Sequence, residues 1–452
     1  MRVFPMGYIP NTDRDIEAML KEIGADSADE LFSSIPEKLR FTSGLGIPDG
    51  ISEMELLEQL RALSGANAST HDHVSFLGGG AYNHFIPSLV GQLTGRSEFY
   101  TSYTPYQPEV SQGTLQAIFE YQSLMCMLTG MDVSNASLYD GSSAAAEAVL
   151  MSLRANRRDR VLVSRSVNPE YRAVIDTYLR ANDREVVEIP LSQEGVTDID
   201  GLAAVLDGSV SCVVVQSPNY FGIMEDLGGV ESVVHGAGAL FVAAFSEPLA
   251  FGILRPPGEY GADIVCGEGQ SLGIPIGYGG PYLGILTADK RLIRSMPGRI
   301  VGKSVDRRGH TAYVLTLTAR EQHIRRERAT SNICTNQGLC ALTATVYLAA
   351  LGKRGFRDLA ILNHERAEYA RGELAKVAGI TLKFPGPIFN EFVIQTDKDP
   401  ALIEEKLARR GILPGIPLGR YHDELRDCML VSVTEMNSTG DIDRLCVEIG
   451  SL

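Results

Sequence analysis

The sequence predicts an α/β protein with a mostly parallel sheet, followed by a smaller α+β lobe. Two observations carry this. From about residue 114, short apolar runs alternate with helical or turn segments, the pattern of a sheet with crossover helices. The chain also has 452 residues, too many for one ordinary core, so two or three lobes are expected.

The elements are read in order. Residues 1–70 form an N-terminal helical segment. Ser27, with Glu30 three residues on, has the capping-box spacing of a short helix. Pro48-Asp49-Gly50 reads as a turn, and Ile51, Met54, Leu57 and Leu60 mark one face of the next helix. Residues 71–335 form the large α/β domain. It opens with a loop, 76–113, rich in Gly, Tyr and Pro, a composition unsuited to long regular elements and common at functional sites. Helices are expected over 114–129 and over 142–155, the latter starting at Asp140-Gly141-Ser142-Ser143. Strands are expected at 161–163, 186–189, 212–215 and 240–243. Residues 336–452 comprise a linker helix, 337–352, and a small C-terminal domain with helices at 364–377 and 401–410 and strands at 391–395 and 428–433.

Composition excludes some functions. A net charge of −15 argues against a nucleic-acid partner, whose footprint would be basic. Seven scattered cysteines with no CxxC pair fit a reduced compartment better than a disulfide framework. No apolar run reaches the length of a membrane span, and the first residues show no signal-peptide core. A soluble cytoplasmic protein is the expectation.

Four stretches, in this order, resemble the glycine decarboxylase family, the P-protein of the glycine cleavage system, in its two-subunit form. They are residues 76–84 (Phe76-Leu77-Gly78-Gly79-Gly80-Ala81-Tyr82-Asn83-His84), 103–113 (Tyr103-Thr104-Pro105-Tyr106-Gln107-Pro108-Glu109 and onward), 274–281 and 320–335. The resemblance, strongest to the alpha subunit (subunit 1), implies the pyridoxal-phosphate-dependent transferase fold, fold type I. It also implies a reaction: glycine is decarboxylated and its aminomethyl group passes to the lipoyl arm of H-protein.

The fold places three anchors on the cofactor. A lysine forms the Schiff base. An aspartate keeps the pyridine nitrogen protonated. A Gly/Ser turn at a helix N-terminus holds the phosphate. Aligned on Pro275, the lysine position holds Gln270, and the aspartate position holds Ala244. Only the turn with Ser142 and Ser143 survives, as a residual anion site. The resemblance therefore implies that this chain binds no cofactor. Pyridoxal phosphate would sit in a beta partner (subunit 2), within an alpha2beta2 assembly that is inactive when this chain stands alone.

Tyr103, Thr104, Tyr106, Gln107 and Glu109 are the residues expected to contribute across the interface to the partner's site; interface packing alone is the alternative. Arg320, Arg325, Arg326, Arg328 and His323 suit an anion contact, an interface ion-pair set, a dock for the acidic H-protein, or a solvated helix face. Thr330-Ser331-Asn332 reads as a helix cap, and Cys334 has no evident base beside it. His71-Asp72-His73 lacks the further ligands a metal needs, so no metal is expected. Two rival readings stay open. One is an independent pyridoxal-phosphate enzyme using an unrecognised lysine, with Lys303, in a loop-like stretch, as the best of nine. The other is a purely structural or regulatory partner.

Overall fold

The computed structural model describes residues 11–41, 46–181, 183–331, 333 and 335–452. The chain divides into two units, residues 1–67 and 68–452.

The first unit carries helices α1 (Asp13–Ile23) and α2 (Glu53–Gly65). Each starts with a reciprocal capping box, Thr12 with Asp15 and Ser52 with Glu55. No residue of either helix is buried. The expected box at Ser27 does not form. Glu30 instead accepts from the Asp26 amide at 2.8 Å, and residues Ala28–Phe32 make only a 3-10 turn. The Glu30 amide, which the Ser27 hydroxyl would cap, donates instead to the Ser27 carbonyl at 3.2 Å in the tighter turn. Residues 48–50 do not fold into a turn.

The second unit begins with β1 (Val74–Ser75), α3 (Ser88–Thr94), α4 (Ser97–Tyr100) and α5 (Gln112–Thr129). There follow β2 (Val133–Ser134), α6 (Gly141–Asn156), β3 (Arg160–Ser164), α7 (Pro169–Arg180), β4 (Val186–Ile189), α8 (Ile199–Val205), β5 (Val210–Gln216), α9 (Leu227–Gly236), β6 (Leu240–Phe245), β7 (Ile264–Glu268) and β8 (Gly284–Ala288). These strands form one seven-stranded sheet in the order β2-β8-β7-β6-β5-β3-β4. β4, β3, β5, β6 and β7 run parallel, β8 runs against them, and β2 pairs antiparallel with β8 at the edge and so follows the direction of the five.

Both faces of the sheet are covered, which is why its strands read as unbroken apolar runs. Val213, Val215, Phe241, Ala243 and Phe245 pack on one face with α5, α9 and the helix that follows the sheet. Cys212, Val214, Val242, Ala244 and Cys266 pack on the other with α6 and α7. The side chains alternate at the period of two that a strand imposes.

After the sheet, β9 (Ile300–Val305) and β10 (Thr311–Thr316) form an antiparallel hairpin. Lys303 lies within β9, exposed and opposite Tyr313, rather than in a loop. The arginine-rich stretch is not one helix face. It is broken into Thr318–Arg320, α10 (Gln322–Arg325) and Arg326–Arg328, with Arg326 at φ 52°. Ser331 caps no helix, because the next begins at Gly338; its hydroxyl donates to Glu147 at 2.6 Å. Asn332 and Cys334 lie outside the described residues.

Helix α11 (Gly338–Leu374) is broken at Gly352, where φ is 62° and ψ 178°. Its first half supplies Ala341, Ala344 and Tyr347 to the sheet core, and its second supplies Ala367, Ala370 and Leu374 to a separate core. That second core is built on a four-stranded antiparallel sheet, β11 (Ile380–Leu382), β12 (Glu391–Thr396), β15 (Cys428–Ser432) and β14 (Ile416–Pro417), in that order. Helices α12 (Pro400–Ala408) and α13 (Thr439–Gly450) cover it. The short β13 (Ile412–Leu413) pairs in parallel with β1 and so ties residue 74 to this lobe.

Candidate functional site

The C-terminal ends of the parallel strands are where open α/β sheets place their ligands. In this chain the region is filled with its own side chains. Gln270 follows β7 and is 1% exposed. Its amide oxygen accepts from the Tyr82 N–H at 2.8 Å, and its amide nitrogen donates to the carbonyls of Tyr82 at 3.0 Å and Ile274 at 2.7 Å. Ala244, on β6, is fully buried in the apolar core on the α6 face.

Around them lies a buried polar network that ties the two lobes together. Tyr82 donates its hydroxyl to Glu391 on β12 at 2.8 Å, and the same carboxyl accepts from the Gly79 amide at 2.7 Å. The backbone passes so close here that a Cβ on Gly78 would lie 2.2 Å from Glu391 Oε1, which is the use of the glycine run. Burial, with the Glu247 carboxylate nearby, pushes the Glu391 carboxyl up to about 7, against the pull of Gly79 and Tyr82.

His84 stands between two carboxylates, with Nε2 2.9 Å from Glu247 and Nδ1 2.8 Å from Glu435. Burial disfavours its charged form, but the two carboxylates outweigh burial and raise it to about 10. None of Glu247, Glu391 or Glu435 was singled out from sequence. They lie 44 to 188 positions apart, so no local spacing announces them.

The turn at the start of α6 keeps its form. Asp140 caps the helix, accepting from the Ser143 N–H at 2.7 Å and from the Ser142 hydroxyl at 2.7 Å. The Gly141 N–H, however, donates to Glu268 Oε2 at 2.9 Å. At the positions that the resemblance assigns to the cofactor's anchors, Gln270 and Ala244 offer neither an amine nor a carboxylate, and a carboxyl group of the chain holds an amide of the turn.

The aromatic loop divides into anchored and exposed residues, the Tyr103 ring lying 6.4 Å from that of Tyr106. Tyr106 is held within the chain. Its hydroxyl accepts from Arg299 Nη2 at 2.9 Å, the Arg299 guanidinium lies 5.1 Å from its ring centre, and the His323 ring meets it edge-on at 5.6 Å. Arg299 is 2% exposed and lies 3.6 Å from Glu321. Tyr103 is 80% exposed, with Gln107 and Glu109 also exposed and Thr104 half-buried. Gln112 stitches the loop to the hairpin, bonding Pro108 O at 2.8 Å and both backbone groups of Tyr313 at 2.9 Å. Phe99, Tyr100, Tyr103, Thr104, Asn336 and Leu339 are among the residues lining a cavity of about 310 Å³ beside the loop. Among the described residues no group of three His, Cys, Asp or Glu is placed to hold a metal, and no helix is long and apolar enough to cross a membrane.

Sheet order, crossovers and C-terminal lobe are those of the fold type I pyridoxal-phosphate enzymes. A glutamate decarboxylase of Lactobacillus brevis superposes with a TM-score of 0.68 over 93% of this chain and 96% of its own, at 12% identity, which speaks for the fold alone. The relationship becomes specific in sequence. The family model for the glycine cleavage system P-protein matches residues 6–449, and the chain belongs to that family.

Proteins named probable glycine dehydrogenase (decarboxylating) subunit 1 align over nearly the whole chain. That of Desulforamulus reducens is 50% identical, covering 99% of this chain and 100% of its own. That of Geobacillus sp. strain WCH70 is 50% identical, covering 98% of each. A crystal structure of an inhibitor-bound glycine decarboxylase (P-protein) of the glycine cleavage system has a TM-score of 0.92 at 43% identity, over 99% of this chain and 100% of that one. The relatives' designation as subunit 1 implies a second subunit in their enzyme.

Proposed function

We propose that this chain is the cofactor-free alpha subunit of a two-chain glycine decarboxylase. A beta partner, subunit 2, carries the pyridoxal phosphate that accepts electrons as CO2 leaves glycine, and the aminomethyl group then passes to the lipoyl arm of H-protein. The observation that carries the reading is Gln270. It occupies the lysine position after β7, and all of its amide bonds go to backbone. An amide cannot form an imine. Lys303 does not replace it, being exposed on a hairpin strand outside the seven-stranded sheet.

This chain's contribution is a surface. Tyr100 and Tyr103 are 67% and 80% exposed beside the cavity, and Tyr278 is 91% exposed in the Gly-rich turn of the third family stretch. Large apolar groups so exposed suit an interface with a second subunit. Tyr103, Thr104, Gln107 and Glu109 would reach the partner's site from that surface, with Tyr106 fixing the base of the loop. The unit is an alpha2beta2 assembly in the cytoplasm.

The test is expression of the chain alone and with its partner. With oxidised lipoyl H-protein supplied as acceptor, the chain alone should show no cofactor absorbance and release no labelled CO2 from glycine; together the pair should do both. Absorbance and CO2 release by the lone chain, or borohydride trapping of the cofactor on Lys303, would overturn the reading. Within the pair, Tyr103→Phe should lower turnover about tenfold or more with assembly intact. Unchanged turnover would leave a scaffold role only.

A further inference from the structure

The N-terminus of α6 gathers amides that have no partner within the helix, and an anion is their natural acceptor. In this fold that anion is the phosphate of the cofactor. Most of the donors here are already committed. The Gly141 N–H donates to Glu268 Oε2 at 2.9 Å. The Ser143 N–H and the Ser142 hydroxyl both donate to Asp140 Oδ1 at 2.7 Å. The Ser143 hydroxyl donates to the Asp140 carbonyl at 3.0 Å.

Glu268 is itself fixed. Its Oε1 accepts from the amides of Gly269 at 3.0 Å, Gln270 at 3.0 Å and Leu283 at 2.9 Å. Swinging it aside would strand the buried Gln270 and Leu283 amides, while the Gly269 N–H would keep the Leu283 carbonyl at 2.7 Å. The space above the turn is also taken: a Cβ added to Gly141 would lie 1.9 Å from the Tyr171 hydroxyl and 2.9 Å from the Glu268 amide nitrogen. Tyr171 reaches in from α7 and is 5% exposed.

We propose that Glu268 stands in for the cofactor's phosphate. Its carboxyl group, roofed by Tyr171, closes the cradle from within, so that this chain takes neither pyridoxal phosphate nor free phosphate there. This goes a step past the missing lysine. Restoring an amine at position 270 would not restore a cofactor site while Glu268 remains. The inference rests on the reading of residues 140–143 as the phosphate turn of the fold, and it can fail separately from the proposed function. Phosphate could bind this turn in a chain that is nonetheless catalytically silent.

The experiment is thermal melting of the purified full chain with inorganic phosphate or pyridoxal phosphate, against chloride at equal ionic strength, with phosphorus-31 line widths as a second readout. The wild-type chain and Glu268→Gln, which keeps the cradle filled, should show no phosphate-specific shift or broadening. Glu268→Ala, which empties it, should melt lower and regain a few degrees when phosphate is added, as expected when a ligand binds only the folded state. Phosphate-specific stabilisation of the wild type that is lost in Gly141→Ala would overturn the proposal. So would a folded Glu268→Ala chain indifferent to phosphate. Should Glu268→Ala not fold, the wild type and Glu268→Gln decide: binding to either overturns the proposal, and silence in both supports it.

Discussion

Gln270, Glu391 and His84 differ in how visible they are from the sequence and in what they do. Gln270 stands out because a lysine is expected there. Glu391 is one of many glutamates until the fold places it under Tyr82 and Gly79. Its folded-state value, raised to about 7 from an ordinary 4.5, means that the folded chain holds a proton in that window which the unfolded chain has lost. Stability should therefore fall as pH rises from about 4.5 to 7. Glu268, pushed up to about 8 mainly by burial, adds to the fall over its own window, and His84, raised to about 10, extends it from about 6.5 upward. Glu391→Gln should remove a share of the slope below pH 7 worth at most about 3 kcal/mol. Urea melts of both proteins at pH 5, 6 and 7 check this; parallel slopes would refute it.

At the scale of elements, the alternation of apolar runs and helices located β3 to β6, α5, α6 and, in the C-terminal lobe, β12 and β15 to within a few residues, but not the short β11, β13 and β14. What it missed has a physical cause. β7, β8 and the β9–β10 hairpin lack the helical punctuation between strands on which the reading relied. The small 3-10 turn at residue 28 borrowed the spacing of a capped helix without its length. The candidate site was less legible still. Its loop was visible by composition, but the split between an anchored Tyr106 and an exposed Tyr103 depends on Arg299, almost 200 positions away. That split is testable. Tyr106→Phe removes one acceptor from a buried guanidinium and should cost about 1–3 kcal/mol, lowering the melting temperature by a few degrees. Tyr103→Phe should leave melting unchanged. Equal effects would mean that the loop is held differently.

At the scale of the molecule, two cores share α11, and a buried network of His84, Glu247, Glu391 and Glu435 joins them. The N-terminal unit behaves differently: Met54, Leu57 and Leu60 mark one face of α2, as the spacing predicted, yet they are 77%, 43% and 52% exposed. Exposed rows of this kind are common where subunits meet. Leu57→Glu with Leu60→Glu should leave the lone chain's melting within a degree or two and weaken pairing with subunit 2 by about tenfold or more. Sedimentation of the mixed chains measures it, and undiminished pairing would show that this face serves something else.

On our proposal that Glu268 fills the cradle at α6, maturation of this subunit should not wait on a vitamin-derived molecule. Refolding the purified chain with and without pyridoxal phosphate should then give equal yields, and a yield that depends on the cofactor would count against the filled cradle.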